Sequence, residues 1–425
     1  MHVRVAQVSR RALCVVSVLG AALVAAGTAG SAGAAGSVRG FDGSTVTVAA
    51  FGIKSQLPGA DLGSQARIKR FNDTHEIKGI KIKYEGMADD NNDPATALSE
   101  ARRLVAQVGV FAIIGDVSIN NPGAYFAQQH VPYFGGGFDT TYCSFKPSTS
   151  LWGYSIQGCV LPEHVSAVSD NYWSLYQFVS KKIGKQHPTL ALFGRDTDSS
   201  KAGEQLFAVA ATGTGFKVTS IQSKIPNDIA TVNDWTPYAT PLLTAGANGQ
   251  QPDAINCVGS LECLKMWQTL QALGYKGVYS NGIYSDALVK PFAGSWIMNQ
   301  TNILSLDTPG VNQMKTDLDA VQPGAGSKAD LGDVYGYAST DMFITALKAV
   351  AAKGKSNITP DNVRKYASTM TWKIDGLQGP TTYPRTSVMS YPSCGEVAYS
   401  DGTKWIQQIP YRCSRKTYPP SLKVG

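Results

Sequence analysis

At 425 residues, with 43% hydrophobic and 16% charged, the chain is too long for one ordinary core and too apolar for disorder, so two domains are expected. Its formal net charge of +7 falls to about +4 once the amino-terminal segment carrying Arg4, Arg10 and Arg11, and no acid, is set aside. That mild balance, without any Lys/Arg block interleaved with aromatics, gives no footing for a nucleic-acid partner.

Those three arginines precede "ALCVVSVLGAALVAAG" and the small residues of "SAGAAG", the order of an export signal over residues 1–35, so the mature chain is expected to start within 32–37. "SRRAL" also resembles a twin-arginine signal. Cys14 does not stand at the end of the apolar run, where a lipid-bearing cysteine belongs, and no later segment reaches the ~18 apolar residues of a membrane span. The expectation is an exported, extracytoplasmic, soluble monomer.

From residue 46 strand-like and helix-like segments alternate: "VTVAAFG" a strand, "SQARIKRFND" a helix, "IKIKYEG" a strand. In "NDPATALSEARRLVAQ" Asp93 can cap, Pro94 suits the first helical position, and Leu98, Ala101, Leu104 and Val108 share a face. "VFAIIG" and "VPYFGG" are the next strands, with a helix beginning at Asn121 and Pro122 between them. Alternation of this kind builds a parallel sheet wrapped by helices. It puts "GDVSINN" just outside a strand's carboxyl end, where open α/β sheets bind ligands, and it offers the Ser118 hydroxyl there. For Asn121 itself a helix cap is the simpler role.

The pattern then repeats. "NYWSLYQFVSKKIG", "AGEQLFAVAAT", "WTPYATPLLTAG" and "LECLKMWQTLQALG" read as helices, and "TLALFG", "KVTSIQ", "DAINCVG" and "GVYSNG" as strands. A Gly/Pro-rich stretch, 308–332, precedes one periodic helix, "YASTDMFITALKAVAAKG". Asp401-Gly402 in "CGEVAYSDGTKWIQQI" signals a hairpin. Export removes Cys14 and leaves six cysteines, which allow fifteen pairings; sequence neighbours suggest Cys143–Cys159, Cys257–Cys263 and Cys394–Cys413.

Residues in "RFNDTHEIKGIKIKYEGMADDNNDPATALSEARRLVAQVGVFAIIGDVS" and "HVPYF", notably Asn72, Gly79-Ile80, Asp89, Asp93, Ile114-Gly115 and Val131-Pro132, carry a resemblance in order and spacing. So do Asp234, Leu242-Leu243 and Pro252-Asp253 of the second half. The chain resembles the substrate-binding proteins of ABC importers, in the branched-chain amino-acid binding (type I periplasmic binding protein) family.

The resemblance implies an α/β fold of two Rossmann-like lobes with parallel sheets joined by a three-crossing hinge near 153–162, 291–303 and 376–393. Residues 44–155 and 291–378 would form the first lobe, 156–290 and 379–425 the second. It implies a small-molecule ligand enclosed between the lobes, no cofactor, no catalysis, and delivery to permease subunits. By position in the family pattern, the first lobe would offer Ser55, Gln56, Ser118, Asn120, Gly137, Phe138, Asp139 and Thr140. The second would offer Asp196, Asp198 and Ser260, with Tyr284 as an aromatic lid. Asp139, where relatives offer a small or hydroxyl residue to a carboxylate, argues for a neutral or cationic ligand head.

Rival signals are weaker. Asp89, Asn91, Asp93 and Glu100 have calcium-loop spacing, but Pro94 stands where that loop needs glycine. "YFGGGF" is similar to a lipase oxyanion loop, yet no G-x-S-x-G follows. "TGTGFK" lacks the third glycine of a dinucleotide fingerprint. With no CxxC and few histidines, zinc has no evident ligand set. A ligand-sensing subunit feeding a signalling partner shares every feature of the importer reading, and a secreted hydrolase is the remote alternative. Trp173 and Trp267 fit a core, and Trp152, beside the first crossing, is a cleft candidate.

Overall fold

The computed structural model describes residues 38–143, 152–162, 165, 167–383, 394–414 and 416–420. The export signal lies outside the described residues. Five parallel strands form the first sheet: β1 (Thr45–Gly52), β2 (Lys81–Asp89), β3 (Ala112–Val117), β4 (Tyr133–Gly135) and β5 (Gly153–Ser155), in the order β2-β1-β3-β4-β5. Short β6 (Val168–Ser169) stands apart. The second sheet takes β7 (Thr189–Arg195), β8 (Lys217–Ile225), β9 (Ala254–Val258), β10 (Val278–Asn281) and β11 (Trp296–Asn299). After a small hairpin, β12 (Thr371–Ile374) and β13 (Gln378–Thr382), two antiparallel strands complete it: β14 (Cys394–Ser400) and β15 (Trp405–Cys413). Its order is β15-β14-β11-β10-β9-β7-β8.

Helices cover both sheets: α1 (Gly59–Asp73), α2 (Pro94–Arg102), α3 (Gly123–Gln128), α4 (Asp170–Ile183), α5 (Asp198–Gly213), α6 (Thr236–Leu243), α7 (Leu261–Ala272), α8 (Pro309–Val321), α9 (Leu331–Ala351) and α10 (Pro360–Ala367). Local chemistry starts them where the sequence indicates. Asp93 accepts the Thr96 N–H at 2.7 Å with Pro94 opening α2. Asp330 and Asp333 form a reciprocal capping box on α9. Helices α1 and α9 lie backbone to backbone because glycines permit it: a Cβ on Gly63 would stand 2.1 Å from the Asp333 carbonyl, and one on Gly336 2.1 Å from that of Ala60. The three disulfides pair Cys143–Cys159, Cys257–Cys263 and Cys394–Cys413, as the spacing suggested.

Three expectations need correction. The Gly/Pro-rich stretch contains α8, with Thr308 as its cap and Pro309 at its first turn, because Pro at that position starts a helix instead of breaking it. The strand Trp296–Asn299 belongs to the second sheet, parallel to β10 and antiparallel to β14, and all four of its residues are buried. The segment returning to the first lobe therefore begins after Asn299 and not at 291. Asn121 does not cap α3; it sits at φ +52 and its side-chain oxygen accepts the Thr140 N–H at 3.2 Å.

The crossings lie side by side. Thr301 bridges to Gln378, and the Asn302 N–H donates to the Leu377 carbonyl at 3.0 Å. Gln378 Nε2 (3.2 Å) and the Thr381 hydroxyl both donate to the Ile156 carbonyl, and the Tyr383 hydroxyl donates to that of Ser155 at 2.6 Å. Part of the third crossing, 384–393, lies outside the described residues.

Candidate functional site

Sheet order fixes where the lobes can meet. The first crossing leaves β5 and the other two adjoin β11 and β14, so β2 and β8 are the strands farthest from the hinge. The loops after the strands' carboxyl ends face each other between these limits, the position where α/β sheets hold ligands.

Arg195, at the end of β7, organises the edge away from the hinge. It is 2% exposed and pairs with fully buried Glu262, through Nε to Oε1 at 2.7 Å and Nη2 to Oε2 at 2.6 Å. The same guanidinium donates across the cleft to Gln56 Oε1 (2.7 Å) and Asn92 Oδ1 (3.4 Å) of the first lobe. Ser260 Oγ also donates to Gln56 Oε1. Beside them, Asn92 Nδ2 donates to the Asn227 carbonyl, and Asn227 Nδ2 answers to the Asn92 carbonyl at 2.7 Å and to Asn120 Oδ1 at 3.4 Å. Thus Gln56, Asn120 and Ser260 come together as expected residues, in one interlobe network.

Nearer the hinge the surface becomes aromatic. Phe138, in the loop after β4, packs edge-on against Tyr335 in the first turn of α9, with ring centres 4.8 Å apart. Gly137 holds that loop at φ +83, and a Cβ there would stand 2.4 Å from Ser155 Oγ. Burial raises the Tyr335 hydroxyl to about 12 while Gln157 hydrogen-bonds to it. Across the cleft, Ser285 forms a bridge with Asp330 just before that turn.

Other expected residues are spent elsewhere. The Ser118 hydroxyl donates to Asp90 Oδ2 at 2.6 Å and accepts the Asn120 N–H at 3.1 Å, so its hydrogen is committed inside the first lobe. Asp90 also accepts from Asn120 Nδ2 and the Asn92 N–H; burial raises its carboxyl pKa, and these donors only partly offset that. Asp139 is buried, not on the rim. Its Oδ1 accepts the Thr141 N–H at 2.8 Å, opening the short helical turn Thr140–Cys143, and burial raises its carboxyl to about 6. The cause is the disulfide-anchored turn, whose free N–H groups draw the carboxylate inward. Its argument for a neutral or cationic ligand head falls with that placement.

Tyr284 is no lid: 1% exposed, it packs on Trp405, donates to Asp286 at 2.8 Å and accepts the Leu304 N–H at 2.7 Å. Asp196 pairs with Lys201 on the surface, and Asp198 and Ser55 are exposed. Trp152 sits at the amino end of β5, away from the cleft, between His130 and Arg364. Trp267 stacks on Tyr279 in the core. Asp89, Asn91 and Asp93 serve turns and a cap, and no metal-holding cluster occurs among the described residues.

Arg195, Glu262, Asn92, Asn227, Gln157 and Tyr335 are the residues sequence reasoning missed. A charge directly after the buried run "TLALFG" was the available signal for Arg195, since a parallel strand buried on both faces has no other place for it.

A family model described as periplasmic binding protein matches residues 49–391. An ABC transporter substrate-binding protein from Aeropyrum pernix is 14% identical, with TM-score 0.71, covering 89% of this chain and 97% of its own. A branched-chain amino-acid ABC transporter protein from Thermus thermophilus with bound valine gives 13%, 0.71, 87% and 97%. A fatty acid ABC transporter substrate-binding protein from Thermomonospora curvata gives 15%, 0.69, 89% and 95%. No curated protein sequence matches significantly.

Proposed function

Because the chain belongs to the periplasmic binding protein family and has a solute-binding role, we propose that it captures a small organic molecule between its lobes outside the cytoplasm, after export by its amino-terminal signal, and hands it to the permease of an ABC importer. The observation that carries the site is the Phe138–Tyr335 pair with Gln157, lying between the interlobe network and the stitched crossings. An aromatic wall with one amide matches an apolar or aromatic body bearing a neutral polar group.

Valine and a fatty acid, the ligands named for two of the structural neighbours, are both carboxylates. Here Arg195 already binds Glu262 through two parallel bonds, so it offers a ligand carboxylate no unpaired charge. The proposal is therefore a neutral head, and the protein carries its solute without chemical change.

Mass spectrometry of small molecules released from the purified protein identifies the ligand, and calorimetry follows. Tyr335→Ala should weaken binding at least about tenfold, the loss of one buried aromatic contact. Unchanged affinity for Tyr335→Ala and Phe138→Ala would move the site elsewhere. Ester and amide substrates should show no turnover above background.

A further inference from the structure

We propose that Arg195, Gln56, Asn92 and Asn227 form a latch that holds the cleft closed without any ligand. The guanidinium divides its donors between two tasks. Nε and Nη2 bind Glu262 within the second lobe, a pair that rotation of the lobes leaves intact. Nη2 also reaches Gln56 and Nη1 reaches Asn92, both in the first lobe, and opening must break these. Arg195 thus arrives at the cleft already neutralised and oriented, so closing adds charge-assisted hydrogen bonds without burying an unpaired charge.

The position magnifies the effect. Gln56 and Asn92 follow β1 and β2, Arg195 ends β7 and Asn227 follows β8, and these are the strands farthest from the crossings in each sheet. A small rotation at the hinge produces its largest separation there, so these bonds are all made or all lost. The Asn92 and Asn227 amides read each other's main-chain carbonyls, and the Ser199 hydroxyl donates to the Ile119 carbonyl at 3.2 Å in the same seam. Asn92 adopts φ +58 directly after Asn91 at φ +49, a left-handed pair that asparagine tolerates and that sets the loop against the opposite lobe. Arg195 acts here as a positioning residue: it touches the opposite lobe, and no role in holding solute is assigned to it.

The test uses the mature protein stripped of solute by unfolding and refolding with its disulfides intact. Spin labels at Lys81→Cys and Lys217→Cys, exposed at the outer ends of β2 and β8, report the lobe separation alongside small-angle scattering. With no ligand added, the wild type should give one short distance and a compact scattering profile. Gln56→Ala with Asn92→Ala, which removes both bonds from Arg195, the Ser260 bond and one Asn92–Asn227 bond yet leaves Arg195 and Glu262 paired, should shift the closed-to-open ratio toward open by at least about tenfold. Gln56→Glu should retain the closed form, since it still accepts from Arg195. A solute-free wild type as extended as the double variant, or a double variant as compact as the wild type, overturns the latch. Both results leave the solute-binding role untouched, because no ligand enters the experiment.

Discussion

Two buried glutamates of the second lobe, Glu262 at the edge away from the hinge and Glu396 beside it, solve the same problem in opposite ways. Glu262, fully buried, meets a guanidinium through two parallel bonds. Glu396, on β14 opposite Asn299, is 2% exposed and is held by uncharged donors: Asn299 Nδ2 at 3.4 Å from Oε1, Gln407 Nε2 on Oε2, and the Ile303 main-chain N–H. Burial, only partly offset by those donors, raises the Glu396 carboxyl to about 8. The contrast separates the two edges by what they must survive. Contacts at the outer edge break and re-form in water, which a preformed ion pair tolerates. Contacts at the hinge stay buried throughout, where a neutral acid bonded to amides costs less than a charge.

The largest expected effect breaks the ion pair. Glu262→Ala leaves Arg195 as a buried cation without its anion and should cost ~3–5 kcal/mol in urea unfolding, with part of that recovered in the double variant Arg195→Met, Glu262→Ala. A loss below about 1 kcal/mol would mean that solvent already reaches the pair, as at surface sites, and would erase the contrast.

Next comes pH. The folded Glu396 holds its proton up to about 8, whereas the unfolded chain releases it near the ordinary 4.5. Stability from this group is therefore full below about 4.5 and is lost as pH rises toward 8, on the order of a few kcal/mol in all. The Glu396 charge would in turn raise Tyr284 and Tyr411, which burial already holds above the ordinary tyrosine value, so both remain neutral through this window. Glu204, raised by burial to about 7, adds a decline of the same sign. Glu396→Gln should flatten the part above neutrality. An unchanged stability–pH curve for that variant would place the charge burial elsewhere.

A third perturbation separates hinge from latch. Gln378→Ala with Thr381→Val removes both side-chain donors from the Ile156 carbonyl and should cost ~1–3 kcal/mol of stability. The solute-free lobe separation should stay as in the wild type, because these bonds join crossing segments that rotate together. A cleft that opens in this variant would make hinge and latch one unit.

These residues also show what the sequence could reveal. The strand and helix order, the cap at Asp93 with Pro94 opening the helix, the close-spaced cysteines and the strand ends that border the cleft follow from periodicity and local chemistry, and all are visible in one dimension. The strand Trp296–Asn299 was missed because four buried residues after "GVYSNG" carry no alternation. Arg195 and Glu262 lie within the loops "RDTDSS" and "GSLE" singled out for the second lobe, yet the neighbouring Asp196, Asp198 and Ser260 were favoured. Which residue of a loop turns inward depends on partners 67 to 139 positions away, and a single sequence holds no record of such pairs.

The smallest effect concerns Ser118, in the loop after β3. The sequence offers the Ser118 hydroxyl to a ligand, but its hydrogen goes to Asp90 and its lone pair accepts the Asn120 N–H. Ser118→Ala would leave Asp90, already raised by burial, with two donors instead of three, and raise its carboxyl further. The result should be a stability loss of ~0.5–1.5 kcal/mol, the ordinary worth of one such bond. Solute affinity should change by less than about threefold, because no donor aimed at the ligand has been lost. Glu396 and Asp90 then behave alike as buried acids held by uncharged donors, one in each lobe. A large affinity loss with unchanged stability would instead show that the Ser118 hydroxyl leaves Asp90 when solute binds, and would move the polar end of the ligand from Gln157 to the loop after β3.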